Sequence, residues 1–498
     1  MLSKSSSNLA DIVWGNRDSE QIALVDAGPD TINSRLSYGD VQQAIQSFPK
    51  EFRGKSGLEP GHRVAVVGKN QSAHVLASYG LMHGGYVAVP VNLQLSHEAL
   101  EHIYRVCDIA ATLADRAGLE ALPASLASST RLLALDEPTF YAGREPRPAT
   151  QGGDDEAVVM FTSGSTGLPK AVPITHNGYL WAMRQFADLI DSLAGQTVLA
   201  AAPLFHMNAQ FHVQAALAGG ATAVVMRRFE AGRFLELIVE ESVTRVTGVP
   251  TMLALAVREA DRRGVRPMRH VQSVAMGSAP LSEALVQEVK SLFPEAVISN
   301  GYGTTETGPA LFGAHPDGIP TPVQSIGYPL AKAGWDLRDG SDKSQGVLWV
   351  KHPMTATGYL GDVAQTEAAF RDGWYCTKDR MVRDEDGFFY FDGRADDMFV
   401  CAGENIYPQE VERRMLQHPA VRDVAVVPVP DELKGYLPVA FVVAENTDEA
   451  TLRDHALRTG PAYAHPRAVY FLDQLPLGST NKVDRQKLQR LAEQTFQR

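Results

Sequence analysis

The sequence predicts an α/β fold with a large N-terminal domain and a small, mobile C-terminal α+β domain. Its 498 residues are too many for one hydrophobic core, so roughly two to four domains are expected. Over residues 1 to about 150, apolar runs alternate with amphipathic segments, which is typical of parallel sheets covered by helices. The composition then changes at about residue 325 and again after Gly393, and these changes indicate two further units.

Hydrophobic periodicity predicts the elements of the large domain. Residues 63–67 and 85–90 are strand-like and enclose a helix-like segment, 73–82. Further strands are predicted at residues 157–161, 221–226, 246–249, 271–276 and 296–299, and a helix at 234–241. Thr175 can cap another helix, whose apolar stripe would consist of Leu180, Met183, Phe186, Ala187 and Ile190.

The last two units differ from this pattern. Residues 325–393 contain short strands, many Gly and Asp turns and several aromatic residues, so a β-rich subdomain is expected. After Gly393 we expect a helix at 408–417, strands at 424–429 and 439–443, a helix near Leu452 and a basic tail. These elements predict a small α+β domain on a hinge.

Composition excludes several classes of function. The net charge of −12 argues against a nucleic-acid or anionic-membrane surface. The cysteines Cys107, Cys376 and Cys401 lie far apart, which suits a reducing cytoplasm and indicates neither zinc nor disulfides. The first residues lack the apolar core of a signal peptide, and runs such as 197–205 are about half the length of a membrane span. We therefore expect a cytoplasmic protein with no membrane span and no nucleic-acid partner.

A glycine-rich loop follows the predicted strand 157–161. It consists of Thr162, Ser163, Gly164, Ser165, Thr166 and Gly167, and it continues through Pro169 to Lys170. Glycines allow backbone N–H groups to turn inward, and hydroxyls and a lysine add donors, so the loop can hold a polyphosphate. Its glycine and lysine spacing differs from that of a Walker loop. An ordinary flexible strand-to-helix loop is the alternative.

Two further segments carry groups suited to a nucleotide. In residues 301–307, glycines on both sides of Tyr302 leave its ring open for stacking on a purine, and Glu306 offers a hard oxygen ligand for Mg²⁺. A Gly-rich turn with an exposed glutamate is the alternative. Asp379 can accept both hydroxyls of a ribose, and Arg394 can donate to ribose or phosphate. Here the alternative is a pair of turn residues on a solvated hairpin.

Taken together and in this order, these motifs and the loop around Lys482 resemble the adenylate-forming superfamily. This superfamily contains the acyl- and aryl-CoA synthetases, the adenylation domains of peptide synthetases and the firefly-type luciferases. The resemblance covers essentially the whole chain and implies the adenylate-forming enzyme fold. It implies an N-terminal adenylation domain at residues 1–393, a hinge at 394–398 and a mobile C-terminal domain at 399–498.

The resemblance also implies a role for each motif residue. The segment 162–170 would hold the β- and γ-phosphates of ATP, and Thr305 would contact the α-phosphate. The residues against adenine would be Gly277, Ser278, Ala279 and Tyr302. Glu306 would bind Mg²⁺, Asp379 would take the ribose hydroxyls with Arg394 beside them, and Asp396 is similar to the hinge residue. Lys482 would bridge the substrate carboxylate and the α-phosphate in the first half-reaction.

Three residues depart from the usual family pattern. Ala171 and Asn481 each stand where glycine is usual, although asparagine before this lysine does occur in aryl-CoA ligases. Lys378 interrupts the common Thr-Gly-Asp string, and it adds a charge beside Asp379.

Two segments separate the branches of this superfamily. Residues 402–412 resemble the thioester-forming loop of CoA ligases, in which Gly403 would let a pantetheine arm approach; a plain turn before a helix is the alternative. Residues 203–208 contain no aspartate to pair with an α-ammonium group. Within them His206 resembles an acid-site gate, although a hydrogen-bonded core histidine is the alternative.

The sequence therefore predicts an ATP-dependent carboxylic acid:CoA ligase that uses Mg²⁺ and forms an acyl-AMP before the thioester. The small-molecule acid is expected to be aromatic, alicyclic or of medium length, because its predicted pocket is mostly apolar or small. That pocket would be lined by His206, Met207, Val249, Met276, Gly301, Thr307, Pro309 and Ala310. Two alternatives stay open: loading of a carrier protein's phosphopantetheine, and a non-catalytic nucleotide or acyl sensor.

Overall fold

A computed structural model describes residues 6–15, 18–28, 32–141, 152–163, 168–277, 281–340, 342–478 and 483–496. Its first part alternates strands and helices, as the sequence predicts. The elements are β1 (Ile22–Ala27), β2 (Ile32–Ser37), α1 (Tyr38–Ser56), β3 (Arg63–Val67), α2 (Ser72–His83), β4 (Val87–Val91), α3 (His97–Cys107), β5 (Ala111–Ala114), α4 (Arg116–Ala121), α5 (Ala124–Ser129) and β6 (Arg131–Ala134).

The second part continues the alternation after one antiparallel hairpin. Its elements are β7 (Glu156–Ser163), β8 (Pro169–Thr175), α6 (His176–Gln185), α7 (Ala187–Asp191), β9 (Thr197–Ala200), α8 (Met207–Gly219), β10 (Thr222–Met226), α9 (Ala231–Glu240), β11 (Arg245–Gly248), α10 (Pro250–Arg263), β12 (Ser273–Gly277), α11 (Glu283–Leu292) and β13 (Val297–Gly301).

The remaining elements form the β-rich region and the C-terminal domain. They are β14 (Phe312–Gly313), β15 (Tyr328–Pro329), β16 (Gly334–Arg338), β17 (Gln345–Lys351), α12 (Val363–Ala369), β18 (Phe370–Arg371), β19 (Trp374–Arg383), β20 (Phe389–Arg394), β21 (Phe399–Cys401), β22 (Glu404–Ile406), α13 (Pro408–Met415), β23 (Val421–Asp431), β24 (Gly435–Ala444), α14 (Glu449–Thr459), β25 (Ala468–Phe471) and α15 (Arg485–Thr495).

Two large sheets form the centre of the N-terminal domain. Within the described residues, one has the strand order β13-β12-β11-β9-β10-β1-β2 and the other β6-β5-β3-β4-β7-β8. All pairs are parallel except β1–β2 and β7–β8 at the sheet edges. This confirms the predicted α/β class.

The two sheets share one apolar core. Strand side chains alternate between the two faces of a sheet, so a strand can also contribute to a second apolar cluster on its other face. Val64 and Val66 of β3 and Val225 of β10 belong to the same buried apolar cluster. The intervening Ala65 packs into a second cluster, and Val224 into a third. Both faces of these strands are therefore buried, which explains why they read as continuous apolar runs rather than as alternating ones.

The other sheets follow the two composition changes. Strands β16, β17, β18, β19 and β20 form an antiparallel sheet, which confirms the β-rich subdomain predicted for residues 325–393. Strands β21 to β24 are antiparallel and β25 joins β24 in parallel, with α13, α14 and α15 packed around them. A large N-terminal domain thus precedes a smaller C-terminal α+β domain. In the described residues no helix combines the length and apolar composition needed to cross a membrane.

Two predicted elements were wrong in detail. The stripe expected on one helix is divided between α6 and α7, because Phe186 leaves the helical conformation and its ring packs edge-on against Phe211. The basic tail is a helix, α15, in which Asp484 caps the N-terminus and Leu488 and Ala492 are buried four residues apart. Their burial on the C-terminal sheet stabilises this helix, which the composition predicted only as a basic tail.

Candidate active site

The predicted phosphate motif begins in β7 and ends in β8, two antiparallel strands, so it does not connect a strand to a helix. Thr162 pairs with Lys170 across the hairpin, and Ser163 pairs with Pro169. The side chain of Ser163 and residues Gly164, Ser165, Thr166 and Gly167 lie outside the described part of the chain. Because β7 and β8 are antiparallel, Lys170 lies directly opposite Thr162, the first threonine of the motif.

Lys170 extends from β8 into a small polar cluster. Its Nζ donates to Gln365 Oε1 at 3.0 Å and lies 4.8 Å from the centre of the Tyr359 ring. Burial lowers the pKa of Lys170, and the positive charge of Lys378 lowers it further. A polyphosphate would reverse this effect, because its negative charge favours the protonated ammonium.

Glu306 is buried at the centre of this cluster, with 4% of its surface exposed. The alternative of an exposed glutamate on a Gly-rich turn is therefore wrong. Tyr359 Oη donates to Glu306 Oε1 at 2.8 Å, and the backbone N–H of Ala356 donates to the Glu306 carbonyl oxygen at 2.8 Å. Burial raises the pKa of Tyr359, and the negative charge of Glu306 adds to that effect. The phenol therefore stays a donor and fixes one carboxylate oxygen.

Asp379 is the second buried carboxylate, with 6% of its surface exposed. Tyr302 Oη donates to its Oδ2 at 2.6 Å, and Arg394 Nη1 donates to its Oδ1 at 2.9 Å. Burial raises the pKa of Asp379 to about 6, although the charge of Arg394 opposes this. The strands β19 and β20 pair Asp379 directly with Arg394, so the two residues, fifteen positions apart, form one unit. The alternative of a solvated turn residue is therefore wrong for Asp379, because its side chain is buried.

Arg394 also contacts the predicted hinge. Its Nε and Nη2 donate to the two carboxylate oxygens of Asp396 at 2.8 and 3.0 Å. The ammonium of Lys378 lies 3.5 Å from Asp396 Oδ2. The extra lysine of the Thr-Lys-Asp string therefore pairs with Asp396, and Arg394 is the cation that pairs with Asp379.

Gly277 and Gly301 lie side by side at the carboxyl ends of β12 and β13. A Cβ atom added to Gly277 would lie 2.6 Å from the carbonyl oxygen of Gly301, so only glycine fits there. Ser278 and Ala279, predicted to lie against adenine, fall outside the described residues. The ends of adjacent parallel strands are a common ligand-binding position in open α/β sheets.

The residues predicted for the acid lie in or after the strands β9, β11, β12 and β13. Thr305, which is predicted to contact the α-phosphate, is partly buried in the turn that carries Glu306. His206 precedes α8, and its ring is 4.6 Å from that of Phe205 in an edge-on arrangement. Val249 and Met276 pack in one apolar cluster, whereas Met207 and Ala310 contact another. Of the other predicted pocket residues, Thr307 is buried, Pro309 is half-buried and Gly301 is exposed.

Gly403 occupies a very different environment from the nucleotide-site residues. It lies with Ala402 in the two-residue turn of the β21–β22 hairpin, and both residues have positive φ angles, +53° and +86°. Gly403 is exposed, and an added Cβ would meet no heavy atom within 4 Å. Lys482 lies outside the described residues; the flanking Leu477 and Val483 form an antiparallel bridge.

Sequence reasoning missed Tyr359 and Gln365, which contact Glu306 and Lys170. The available signal was the Gly358-Tyr359 pair, which repeats the Gly301-Tyr302 pattern of a tyrosine after a glycine. Gln365 carried no signal, because it lies in the first turn of α12 and reaches Lys170 only through the fold.

The residues present fit a magnesium ion that shares its ligands with a nucleotide. Among the described residues no three His, Cys, Asp or Glu side chains gather into a protein-only metal site. No hydrogen bond of the described residues engages Glu306 Oε2. Mg²⁺ commonly uses one or two carboxylates and completes its shell with phosphate oxygens and water. Glu306 suits that role.

The fold and the grouped charges define an α/β protein with a candidate ligand site in which two buried carboxylates lie beside cations. A family model described as "AMP-binding enzyme" matches residues 13–360, and one described as "AMP-binding enzyme C-terminal domain" matches residues 410–482. The chain belongs to the AMP-binding enzyme family.

Individual relatives agree with this assignment. A feruloyl-CoA synthase from an Amycolatopsis species is 30% identical over 90% of this chain and 92% of its own length. A fatty acid–[acyl-carrier-protein] ligase from Streptomyces coeruleorubidus is 30% identical over 87% of each chain. Among solved structures, o-succinylbenzoate CoA synthetase from Bacillus subtilis, bound to its acyl-adenylate intermediate, superposes with a TM-score of 0.81 at 25% identity over 99% of each chain.

The chain is thus an acid–thiol ligase of the AMP-forming type, and CoA ligases of this type use ATP, Mg²⁺ and coenzyme A. The prediction of the enzyme class is confirmed, and the alternative of a non-catalytic sensor is not.

Proposed function

We propose that this enzyme joins a hydrophobic carboxylic acid without an α-amino group to coenzyme A. One observation supports the nucleotide half best. Four charged residues from distant parts of the sequence form two buried carboxylates with cations beside them. Tyr359 contacts both Glu306 and Lys170. Tyr302 and Arg394 both donate to Asp379. Buried carboxylates of this kind accept ribose hydroxyls or bind a metal, and the cations neutralise phosphate.

In the first half-reaction, a carboxylate oxygen of the acid attacks the α-phosphorus of ATP, and the bond to the β-phosphate breaks. Both reactants are anionic, so positioning and charge neutralisation are the main requirements. Lys170 and the β7–β8 turn neutralise the departing pyrophosphate, Thr305 holds the α-phosphate, and Lys482 bridges that phosphate and the acid. Mg²⁺ held by Glu306 supplies further neutralisation of the phosphate charge when bound.

In the second half-reaction, the sulfur of the thiol attacks the acyl carbon, and the acyl carbon–oxygen bond breaks to release AMP. Gly403 gives the pantetheine arm room to approach the adenylate. Gly403 is exposed in the structure, and we place it outside the site at this stage, so that the C-terminal domain turns to bring it in. We place this rotation at Asp396, within a hinge at residues 394–398 that separates domains 1–393 and 399–498.

The composition of the acid pocket supports a hydrophobic substrate. Val249, Met276 and Ala310 are buried and apolar, and His206 and Met207 lie at the start of the helix α8. Residues 203–208 contain no carboxylate that could bind an α-ammonium. Feruloyl-CoA synthase, a relative at 30% identity, is named for an aromatic acid.

A panel of acids tests this proposal. Pyrophosphate release would be measured with ferulate, benzoate, cyclohexanecarboxylate, octanoate and phenylalanine, each with and without coenzyme A. We expect at least one of the four acids that lack an amino group to exceed phenylalanine by tenfold or more. A preference for phenylalanine would contradict the assignment.

A carrier protein is the second candidate acceptor, and the fatty acid–[acyl-carrier-protein] ligase at 30% identity favours it. Turnover with coenzyme A and with a phosphopantetheinylated carrier protein would be compared at equal thiol concentration. We expect faster turnover with coenzyme A. Faster turnover with the carrier protein would identify the carrier protein as the acyl acceptor instead.

We also place the reaction in the cytoplasm, where ATP and coenzyme A are available. Cys107, Cys376 and Cys401 are free thiols in the structure, as expected in a reducing compartment. Localisation of a tagged chain by fractionation tests this assignment.

A further inference from the structure

Lys378 adopts a backbone conformation that favours glycine. Its φ angle is +62°, inside the strand β19. Three residues of β19, 377–379, lie opposite the single residue Leu348 of β17, so the strand is irregular at this point. Thr377 fills the irregularity by donating from its hydroxyl to the Leu348 carbonyl at 2.8 Å. A glycine would adopt this geometry without strain, whereas lysine at this position carries a local conformational cost.

Both the backbone and the side chain of Lys378 contact the segment after Arg394. Its carbonyl oxygen accepts a hydrogen bond from the backbone N–H of Ala395 at 2.7 Å. Its ammonium lies 3.5 Å from Asp396 Oδ2, the oxygen that also accepts from Arg394 Nη2. Burial alone would raise the pKa of Asp396, but the hydrogen bond and charge of Arg394, together with Lys378, hold that pKa below its usual value.

The same ammonium is close enough to the phosphate hairpin to affect Lys170. The charge of Lys378 is the largest contribution after burial to the lowered pKa of Lys170. The ammonium of Lys378 thus pairs with the carboxylate at the hinge, and its charge disfavours the protonated form of the lysine on the phosphate hairpin. A residue in this place can couple the nucleotide site to the hinge, whereas glycine there could not.

We propose that Lys378 is a positioning residue that latches the hinge in the conformation seen here, with the Gly403 hairpin exposed. This inference rests on the hinge at Asp396 given under the proposed function. Rotation about Asp396 requires the ammonium to leave the carboxylate. We assign this conformation to the adenylate-forming half-reaction, so the latch slows entry into the thioester-forming one. The effect is modest, because both partners are partly exposed, and exposed ion pairs change an equilibrium by up to about fivefold.

Three variants separate charge from backbone strain. Lys378→Met removes the charge and keeps the stem, Lys378→Gly removes both charge and strain, and Lys378→Arg keeps the charge. Lys351→Met is the matched control: this lysine lies in the same sheet and donates to the Asp372 carbonyl, away from the hinge. We expect Lys378→Met and Lys378→Gly to raise the ratio of thioester to adenylate formation roughly two- to fivefold. The Arg variant and the control should stay at the wild-type ratio.

Salt gives a second readout that a merely structural role would not change. Added salt screens the ion pair, so the ratio of thioester to adenylate formation should rise in the wild type toward the value for Lys378→Met. In Lys378→Met this ratio should not change with salt. The latch would be contradicted if the wild-type ratio did not change with salt, or if Lys378→Arg did not keep the wild-type ratio.

Hydrogen–deuterium exchange of residues 395–406, measured on the full chain without substrates, tests the latch independently of any acid. Exchange should be faster in Lys378→Met and Lys378→Gly than in the wild type, the Arg variant and the control. Unchanged exchange in both charge-removing variants would overturn the latch. If no acid is activated by the wild type, the proposed function fails, and the exchange result still decides the latch.

Discussion

The nucleotide site and the Gly403 hairpin differ in how much of the protein surrounds them. Glu306 and Asp379 are buried, and tyrosine hydroxyls and Arg394 fix their oxygens at 2.6 to 2.9 Å. Gly403 is exposed in a two-residue turn, where an added Cβ would meet no heavy atom within 4 Å. The first region is preorganised for binding, whereas in the proposed function the second region contributes after the domain moves. Variants should therefore damage the two half-reactions separately.

The largest effect is expected at Lys482, whose ammonium would neutralise charge between acid and α-phosphate. Lys482→Ala should slow adenylate formation by about a hundredfold or more, the usual cost of losing a preorganised charge contact. Thioester formation from supplied acyl-adenylate should be spared. Lys487→Ala, which changes an exposed lysine five residues on, serves as the control in both assays. Wild-type pyrophosphate exchange by Lys482→Ala would refute the assignment.

The next effect is expected at the hinge. Asp396→Pro restricts the backbone angle about which we place the rotation, so thioester formation should fall about tenfold or more while adenylate formation falls far less. Asp396→Ala removes the same carboxylate but keeps backbone freedom, and it should spare the second half-reaction. Equal slowing of both half-reactions by the proline variant would count against the hinge.

A smaller effect is expected at Gly403 itself. Gly403→Ala should slow thioester formation roughly fivefold through contact with the pantetheine arm, and leave adenylate formation unchanged. Gly61→Ala is a matched control, because Gly61 also has a positive φ, +95°, and open space around it. Each substitution should cost about 1 kcal/mol of stability from backbone strain, measured by chemical unfolding. Equal thioester rates in the two variants would remove Gly403 from the thiol site.

The smallest effect is a pH dependence of nucleotide binding. Because the pKa of Asp379 is raised to about 6, its carboxylate gains a proton below that pH and accepts ribose hydroxyls less well. The KM for ATP should therefore rise about fourfold at half a pH unit below 6, relative to neutral pH. Asp379→Asn cannot titrate and should lack this component, while protonation of ATP affects both proteins equally. Parallel pH profiles for the two proteins would show that Asp379 does not contact the nucleotide.

The same contrast explains what the sequence could predict. Continuous apolar runs located seven strands of the two large sheets, because most of those strands bury both faces in apolar clusters. The elements that the patterns did not locate include β8, whose first residues belong to the glycine-rich motif, and α15, which has few buried residues. Both elements are stabilised by distant partners, namely β7 and the C-terminal sheet.

The candidate site divides in the same way. The carboxylates and cations could be predicted because their residue types carry the chemistry. Their partners could not: Gln365 reaches Lys170 only because α12 packs near the hairpin, and Lys378 pairs with Asp396 through a strand irregularity. The predicted contacts of Ser278, Ala279 and Lys482 stay predictions.

The central claim is that the acid reacts at the α-phosphorus of ATP and that the acyl carbon–oxygen bond breaks only afterwards. An acid that supports pyrophosphate release in the panel would be labelled with oxygen-18 in its carboxylate. It would then be converted with ATP and coenzyme A, and the masses of the products would be measured by mass spectrometry. The label should appear in the phosphate group of AMP. Label in inorganic phosphate, or AMP without label, would contradict the adenylate route.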